Sequence, residues 1–282
     1  MDAIPAPFST RLAPGLTYTA RVAEIAAANV DVVGDVHGCA DELRALLDQA
    51  GYRIGPSCPD SLAPIALTHP DGRRLVFLGD LTDRGPDSLD VLRLAMGAVA
   101  TGTGEVVMGN HDWKLLRALV GRKVEMSTRA RYTVDAVLAC GAPFPSRVAT
   151  FLAGRPSQVR VLAGPEHPRT GDGMLTLVHA AAKSHRQDAT DRESFERGIY
   201  GYPEGEQDGF LVRADWAAAY AGPRAVLHGH TPRKTATWVN RVLCLDTGCV
   251  FGGALSMYRV DADALLAEPA RADHDGRGRV LV

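Results

Sequence analysis

Aspartate, asparagine and histidine recur in this sequence at one kind of place, directly after a short apolar run. Asp35 and His37 follow Val30–Val33, and Asp80 follows Arg74–Leu78. Asn110 follows Glu105–Met108, His179 follows Leu175–Val178, and His230 follows Ala225–Leu227. These are hard or borderline oxygen and imidazole donors with no thiol among them, a set that suits Mn, Fe or Zn. Asp80 falls centrally in the series, and its two carboxylate oxygens can bridge two ions. A pair of metals about 3.5–4 Å apart is suited to in-line displacement at phosphorus, because it activates water and neutralises the phosphoryl oxygens. Asp83 and Arg84 share the loop of Asp80. A planar guanidinium beside such ions fits the non-bridging oxygens of a phosphate. His111 follows Asn110 and can protonate a leaving oxygen, with Asp83 holding its ring.

Taken singly, each of these residues has a plainer reading. Asp35 precedes a helical pattern and could be an N-cap. Gly34, Gly38 and Gly85 could be turn residues. His228 is read as structural, pointing to the side opposite the one that His230 serves. What sets Asp35, His37, Asp80, Asn110, His179 and His230 apart is that all six share one position relative to the apolar runs.

Those runs define the elements that must carry the site. Val30–Val33, Arg74–Leu78 and Glu105–Met108 are each followed by a helical pattern, with Leu43, Leu46 and Leu47, then Leu89, Leu92 and Met96, then Leu116, Leu119 and Val120. Strand, polar loop and helix, three times over, predict βαβ units, an α/β class and a largely parallel sheet. Ligands then sit at the carboxyl ends of the strands. Residues 121–172 read as helical with Pro and Gly breaks. Strands are predicted at 175–178, 225–227, 239–245 and 254–260, and residues 183–213 read as a long irregular loop of functional kind. The expected division is an N-terminal arm at 1–29, one domain at 30–260 and a peripheral C-terminal tail at 261–282.

The composition limits the function classes. The chain has 282 residues, net charge −2, 46% hydrophobic and 23% charged residues. There is chain enough for a large core. No basic excess supports bulk nucleic-acid coating or membrane-surface binding, and no apolar run approaches the length of a membrane span. Only four of the 31 basic residues are lysine, so arginine carries functional weight only at particular positions such as Arg84. Five cysteines, odd in number and without a CxxC pair, fit a reducing cytoplasm better than a disulfide scaffold.

Five blocks now stand in order: Gly-Asp-Val-His-Gly at 34–38, Gly-Asp-Leu-Thr-Asp-Arg-Gly-Pro at 79–86, Gly-Asn-His-Asp at 109–112, His179, and Gly-His-Thr-Pro at 229–232. As an ordered set over about residues 31–250, the sequence resembles the calcineurin-like metallophosphoesterases, and its Asp-Arg-Gly block resembles their phosphoprotein-phosphatase branch. The stretches Val212–Trp216, Gly229–Pro232, Trp238–Asn240 and Asp246–Gly253 are similar to a bacterial subgroup. That subgroup holds the PrpE-type bis(5'-nucleosyl)-tetraphosphatases and the phosphatase module of bacterial polynucleotide kinase-phosphatase. The resemblance implies a central β-sandwich flanked by helices. It implies that Asp35 and His37 bind a first ion, that Asp80 bridges, and that Asn110, His179 and His230 bind a second. It further implies that Arg84, with Asn110 and His111, holds the substrate phosphate, and that His111 paired with Asp83 assists the leaving group. Three departures stand out. Pro232 replaces a histidine found in many relatives, as in the phosphoprotein-phosphatase branch. Ala180-Ala181 replaces Ala-Gly, and Ile199–Glu204 differs from the more acidic, Thr-rich loop of the subgroup.

The expectation is therefore a cytoplasmic phosphoesterase using two divalent transition metals, Mn first and Fe, Zn, Ni or Co otherwise, with activated water attacking phosphorus directly. Dinucleoside polyphosphates lead as substrates, followed by phosphoproteins. RNA 2'-phosphate or 2',3'-cyclic phosphate ends come third, since the sequence has no basic stripe. A non-catalytic phosphate-sensing module is the contrary class, and it would be expected to have lost ligands.

Overall fold

The computed structural model describes residues 21–57, 61–207, 210–213 and 215–276. Within them the chain runs β1 (Val22–Ile25), β2 (Val30–Val33), α1 (Ala40–Gln49), β3 (Arg53–Ile54), β4 (Leu67–Thr68), β5 (Arg74–Phe77), α2 (Ser88–Ala100) and β6 (Gly104–Val106). Three helices follow, α3 (Asn110–Leu119), α4 (Thr128–Ala139) and α5 (Phe144–Ala153), then β7 (Gln158–Leu162) and β8 (Met174–Val178). The last third holds α6 (Arg192–Tyr200), β9 (Pro203–Gln207), β10 (Phe210–Arg213), β11 (Ala225–His228), β12 (Trp238–Val239), β13 (Val242–Cys244), β14 (Ala254–Arg259) and β15 (Ala264–Pro269).

Two sheets face each other. One has the order β15-β14-β2-β5-β6, the other β1-β7-β8-β11-β13-β12. The three motif-bearing strands β2, β5 and β6 are parallel, as are β8, β11 and β13. Alternation along the strands builds the layers. Val30, Val32, Val76 and Leu78 pack into the interior against Val161, Leu175, Leu177, Leu227 and Leu243 of the second sheet. Val33, Leu75 and Phe77 face the other way, onto Leu43, Leu46, Leu92, Leu116 and Val137 of the helices. Val178, Val226 and Val242 on the outer face of the second sheet meet Ala181, Trp216 and Tyr220. The architecture is thus a β-sandwich with helices outside.

Asp31, between the two inward valines of β2, is fully buried on the helix side. It is neutralised there by Arg73 at 2.7 Å and Arg259 at 3.1 Å, and accepts the Tyr52 hydroxyl at 3.1 Å. A buried carboxylate needs such partners.

Four sequence expectations change. The 121–172 segment is not wholly helical. It contains β7, a central strand paired to both β1 and β8, whose Val159 and Val161 alternate into the interior. The expected strand at 239–245 is a tight hairpin, because Asn240 adopts φ 53° and turns β12 back onto β13. Asparagine tolerates that left-handed region. The expected irregular loop holds α6, N-capped by Asp191 accepting the Ser194 N–H at 2.8 Å, and the β9–β10 hairpin. Finally, the folded unit extends past 30–260 on both sides. Val22–Ile25, assigned to the arm, pairs with β7, and Ala264–Pro269, assigned to the tail, pairs with β14 along its whole length. Residues 1–20 of the arm and 277–282 of the tail lie outside the described residues. Among the described residues no helix is long and apolar enough to cross a membrane.

Candidate active site

The loops after β2, β5, β6, β8 and β11 open on one end of the sandwich. Close backbone approach makes them converge. A Cβ on Gly79, which has φ 93°, would stand 2.6 Å from the Gly109 nitrogen, so only glycine lets the loops after β5 and β6 touch. The His37 N–H donates to the Asp80 carbonyl at 2.8 Å and the Gly38 N–H to the Leu81 carbonyl at 2.9 Å, tying the first two loops together. His37, Asp80, Asp83, Arg84 and His230 all have positive φ, between 47° and 75°. Such backbone costs about 1–3 kcal/mol per residue and persists where the surroundings over-determine it.

All six expected ligands meet here, each buried except the intermediate His230. Two three-donor groups form. His37, Asp80 and His111 make one, and Asp80, His179 and His230 the other, with the donor atoms of each within 4.8 Å of one another. Asp80 is common to both. Its Oδ2 lies 3.5 Å from His37 Nε2, and its Oδ1 lies 3.4 Å from His179 Nε2. Asn110 enters through its Oδ1, 3.0 Å from His179 Nε2, and His230 Nδ1 is equally close to the same nitrogen. Asp35 belongs to neither group. Its Oδ2 accepts the His230 N–H at 2.9 Å, while its buried Oδ1 accepts no hydrogen bond. A Cβ on Gly229 would come within 1.8 Å of that oxygen, so this glycine gives Asp35 its room.

These donors fit divalent cations. His37 Nδ1 faces the Thr82 carbonyl at 2.9 Å and His179 Nδ1 the Leu78 carbonyl at 2.8 Å. A ring nitrogen facing a carbonyl must carry the proton, so each Nε2 presents a lone pair to the centre. The His179 lone pair then confronts the oxygens of Asn110 and Asp80. Acceptors that converge on acceptors call for a cation. Burial pushes the Asp35 carboxyl well above its usual range, and the nearby charges of Asp246 and Asp80 push it further the same way. Burial, reinforced by the Arg84 guanidinium, pushes His37 well below the ordinary imidazole value, towards the neutral ligand form. At Asp80 burial raises the carboxyl, but His179, His111, His37 and His230 together outweigh it and hold the carboxyl low.

The three expected catalytic residues surround this centre. His111 Nδ1 meets Asp83 Oδ2 at 2.5 Å, while its Nε2 is 4.0 Å from Asp80 Oδ2. Arg84 reaches His37 Nε2 through a guanidinium nitrogen at 2.9 Å and lies over the Phe251 ring, 5.3 Å from its centroid. His228 points away from the centre, packing on Trp216 with ring centroids 5.2 Å apart. Its burial depresses it to about 4, the state of a neutral structural imidazole. Of the divergent segment at 199–204, Ile199 is core and Tyr202 lines a cavity of about 40 Å³ with His230 and Arg233.

Two buried acids stand in the site without having been given a role from sequence. Asp112 accepts the Leu81 N–H at 3.0 Å and the Gly109 N–H at 3.2 Å, and so fixes the loop of Asp80 against that of Asn110. Its place three residues into a helix after Gly109 is a capping position and was the available signal. Asp246 follows β13 and accepts the Gly248 N–H at 3.0 Å. Only its place after another apolar run, Val242–Leu245, could have pointed to it. Behind the site, the thiols of Cys39 and Cys249 lie beside the Glu42 carboxylate, with all described cysteines free.

Comparisons with known proteins point to one family. The family model for calcineurin-like phosphoesterases matches residues 28–234. A relative from Halalkalibacterium halodurans, named bis(5'-nucleosyl)-tetraphosphatase PrpE [asymmetrical], is 37% identical over 86% of this chain and 94% of its own. Its counterpart in Bacillus subtilis is 35% identical over 87% and 96%. A solved structure provisionally assigned as a diadenosine tetraphosphatase superposes with a TM-score of 0.61 at 25% identity, over 89% of this chain and 98% of that one. A protein serine/threonine phosphatase of Saccharomyces cerevisiae shares the fold, with a TM-score of 0.52 at 14% identity over 90% and 84%. Convergent donors at the strand ends and a family match over most of the chain lead to one conclusion: this protein belongs to the calcineurin-like phosphoesterase family.

Proposed function

We propose that this protein hydrolyses dinucleoside polyphosphates, bis(5'-nucleosyl)-tetraphosphates foremost. The observation that carries the reading is near full-length similarity, at 35–37% identity, to relatives named for that activity. In this reading Asp35, His37 and Asp80 hold one divalent ion, and Asp80, Asn110, His179 and His230 hold the other. Manganese suits this oxygen and imidazole set, as do Fe, Zn, Ni and Co. Bound there, the ions supply Lewis acidity that activates water and neutralises charge on the phosphoryl oxygens.

The chain's own residues do the rest. Arg84, anchored over Phe251, turns its fork to two non-bridging oxygens of the attacked phosphate, and Asn110 and His111 complete the cradle. His111 donates its Nδ1 proton to Asp83 in a hydrogen bond that fixes the ring and leaves Nε2 to deliver a proton to the departing oxygen. Water attacks directly, with no side chain forming a phosphoryl ester. The enzyme works in the cytoplasm, on a small substrate rather than on membrane or bulk nucleic acid.

Product analysis tests the reading. Manganese-loaded protein given diadenosine tetraphosphate should release ATP and AMP in equal amounts, the asymmetrical cut of the named relatives. Release of two ADP, or no release while aryl phosphate is still hydrolysed, would refute it.

A further inference from the structure

Beside the metal-ligand centre lies a second feature that the chemistry above does not use. A cavity of about 590 Å³ opens between the start of α2 and one face of α4, lined by Arg84, Pro86, Asp87, Thr128, Tyr132 and Ala136 among others. Pockets for small organic ligands measure about 300–1,000 Å³. Arg84 lines this cavity and also reaches His37 in the candidate active site, so the two adjoin at that residue. Its α4 wall is held in place by Arg129. That side chain donates to the Arg84 carbonyl at 3.2 Å, the His274 carbonyl at 2.8 Å and the Asp275 carbonyl at 2.6 Å. Arg129 is therefore engaged in holding α4 against the Arg84 loop and the C-terminal segment.

The other distinctive wall residue is Tyr132. It is 66% exposed, the most exposed large hydrophobic side chain among the described residues. A large aromatic face left to solvent on a cavity wall gains most by being covered with another flat ring. An arginine shared with the candidate active site and an uncovered aromatic face in the same cavity suit a nucleoside 5'-phosphate.

We infer that this cavity is the nucleoside subsite of the enzyme, with Tyr132 stacking on the base of the nucleotide whose phosphate Arg84 holds. The inference rests on the dinucleoside polyphosphate reading and extends it to a named residue. Stacking on an aromatic side chain is indifferent to which base is present, so the subsite selects nucleotides over simple phosphates without choosing among bases.

The experiment compares AMP, ribose 5-phosphate and inorganic phosphate as inhibitors of nitrophenyl phosphate hydrolysis by the manganese-loaded full chain. AMP should bind about tenfold more tightly than the other two, the size expected of one base–aromatic stack. Tyr132→Ala should bring AMP to the level of ribose 5-phosphate, while Tyr132→Phe, which keeps the ring, should retain the preference. Equal inhibition by all three in the wild type, or an AMP preference that survives Tyr132→Ala, overturns the subsite. A wild type that prefers AMP through Tyr132 yet leaves diadenosine tetraphosphate intact keeps the subsite and overturns the substrate reading alone.

Discussion

In the proposed reading Asp80 carries more of the chemistry than any other side chain, because its two oxygens face the lone pairs of two different histidines. Asp80→Asn removes the negative charge that this reading puts between two ions. Elemental analysis should show loss of at least one metal equivalent, with activity nearly abolished; two retained metals and near-normal turnover would contradict the bridging role. Arg84 is given a different role in the proposed reading, toward the substrate rather than the ions. Arg84→Ala should keep metal content and lower kcat/KM by about 10²–10³, the size of a lost transition-state donor. Lysine should restore only part, since it lacks the planar fork. His111 is separable again. Its link to Asp83 at 2.5 Å leaves one ring nitrogen unengaged by that carboxylate, which the proposed reading turns to the leaving group, and proton delivery is worth about 10²–10⁴-fold only when that group needs a proton. Across phosphate esters of graded leaving-group pKa, His111→Ala should damage alkyl esters far more than nitrophenyl phosphate, and Asp83→Asn should do the same more weakly. A defect that is uniform across the series would rule out the general-acid role.

At the scale of elements, the site depends on how closely loops pack. Gly229 sits where any Cβ would come within 1.8 Å of Asp35 Oδ1. Gly229→Ala should therefore displace Asp35 or the loop of His230. We expect weakened metal retention and activity down by more than tenfold, with far-UV circular dichroism unchanged; normal metal affinity would show that the loop yields freely. The same elements show what sequence could and could not reveal. The strands β2, β5, β6, β8 and β11 were legible because each is an apolar run closed by a polar residue, and so were the six donors at their ends. Strand β7 was not, since Gln158 and Arg160 interrupt its apolar run and a helix, α5, directly precedes it. Asn240 hid a hairpin inside what reads as one strand, because a single left-handed residue leaves no mark on hydrophobic periodicity. Asp112 and Asp246 were harder to read: a capping position and a place after one more apolar run hint at them, but their hydrogen bonds and charge act across loops, which hydrophobic periodicity does not show.

Over the whole molecule, the sandwich brings strand ends from both sheets to one rim. Asp35, Asp80 and Asn110 come from the first sheet, His179 and His230 from the second. The centre therefore forms only when the sheets are stacked, which couples folding to metal binding. The segment after Asp261 belongs to the folded unit as well, through β15 at the edge of the first sheet and through the carbonyls of His274 and Asp275 that hold Arg129 of α4. Substrate choice also belongs to this scale, since fold and metal centre are shared by enzymes of different specificity. The most direct measurement is a panel of kcat/KM values for the manganese-loaded protein. It compares diadenosine tetraphosphate with phosphoserine, phosphothreonine and phosphotyrosine peptides and with RNA ends bearing 2'-phosphate or 2',3'-cyclic phosphate. The account predicts that the dinucleotide exceeds every other substrate by at least about tenfold; a phosphopeptide or RNA end that matches or surpasses it would contradict the account.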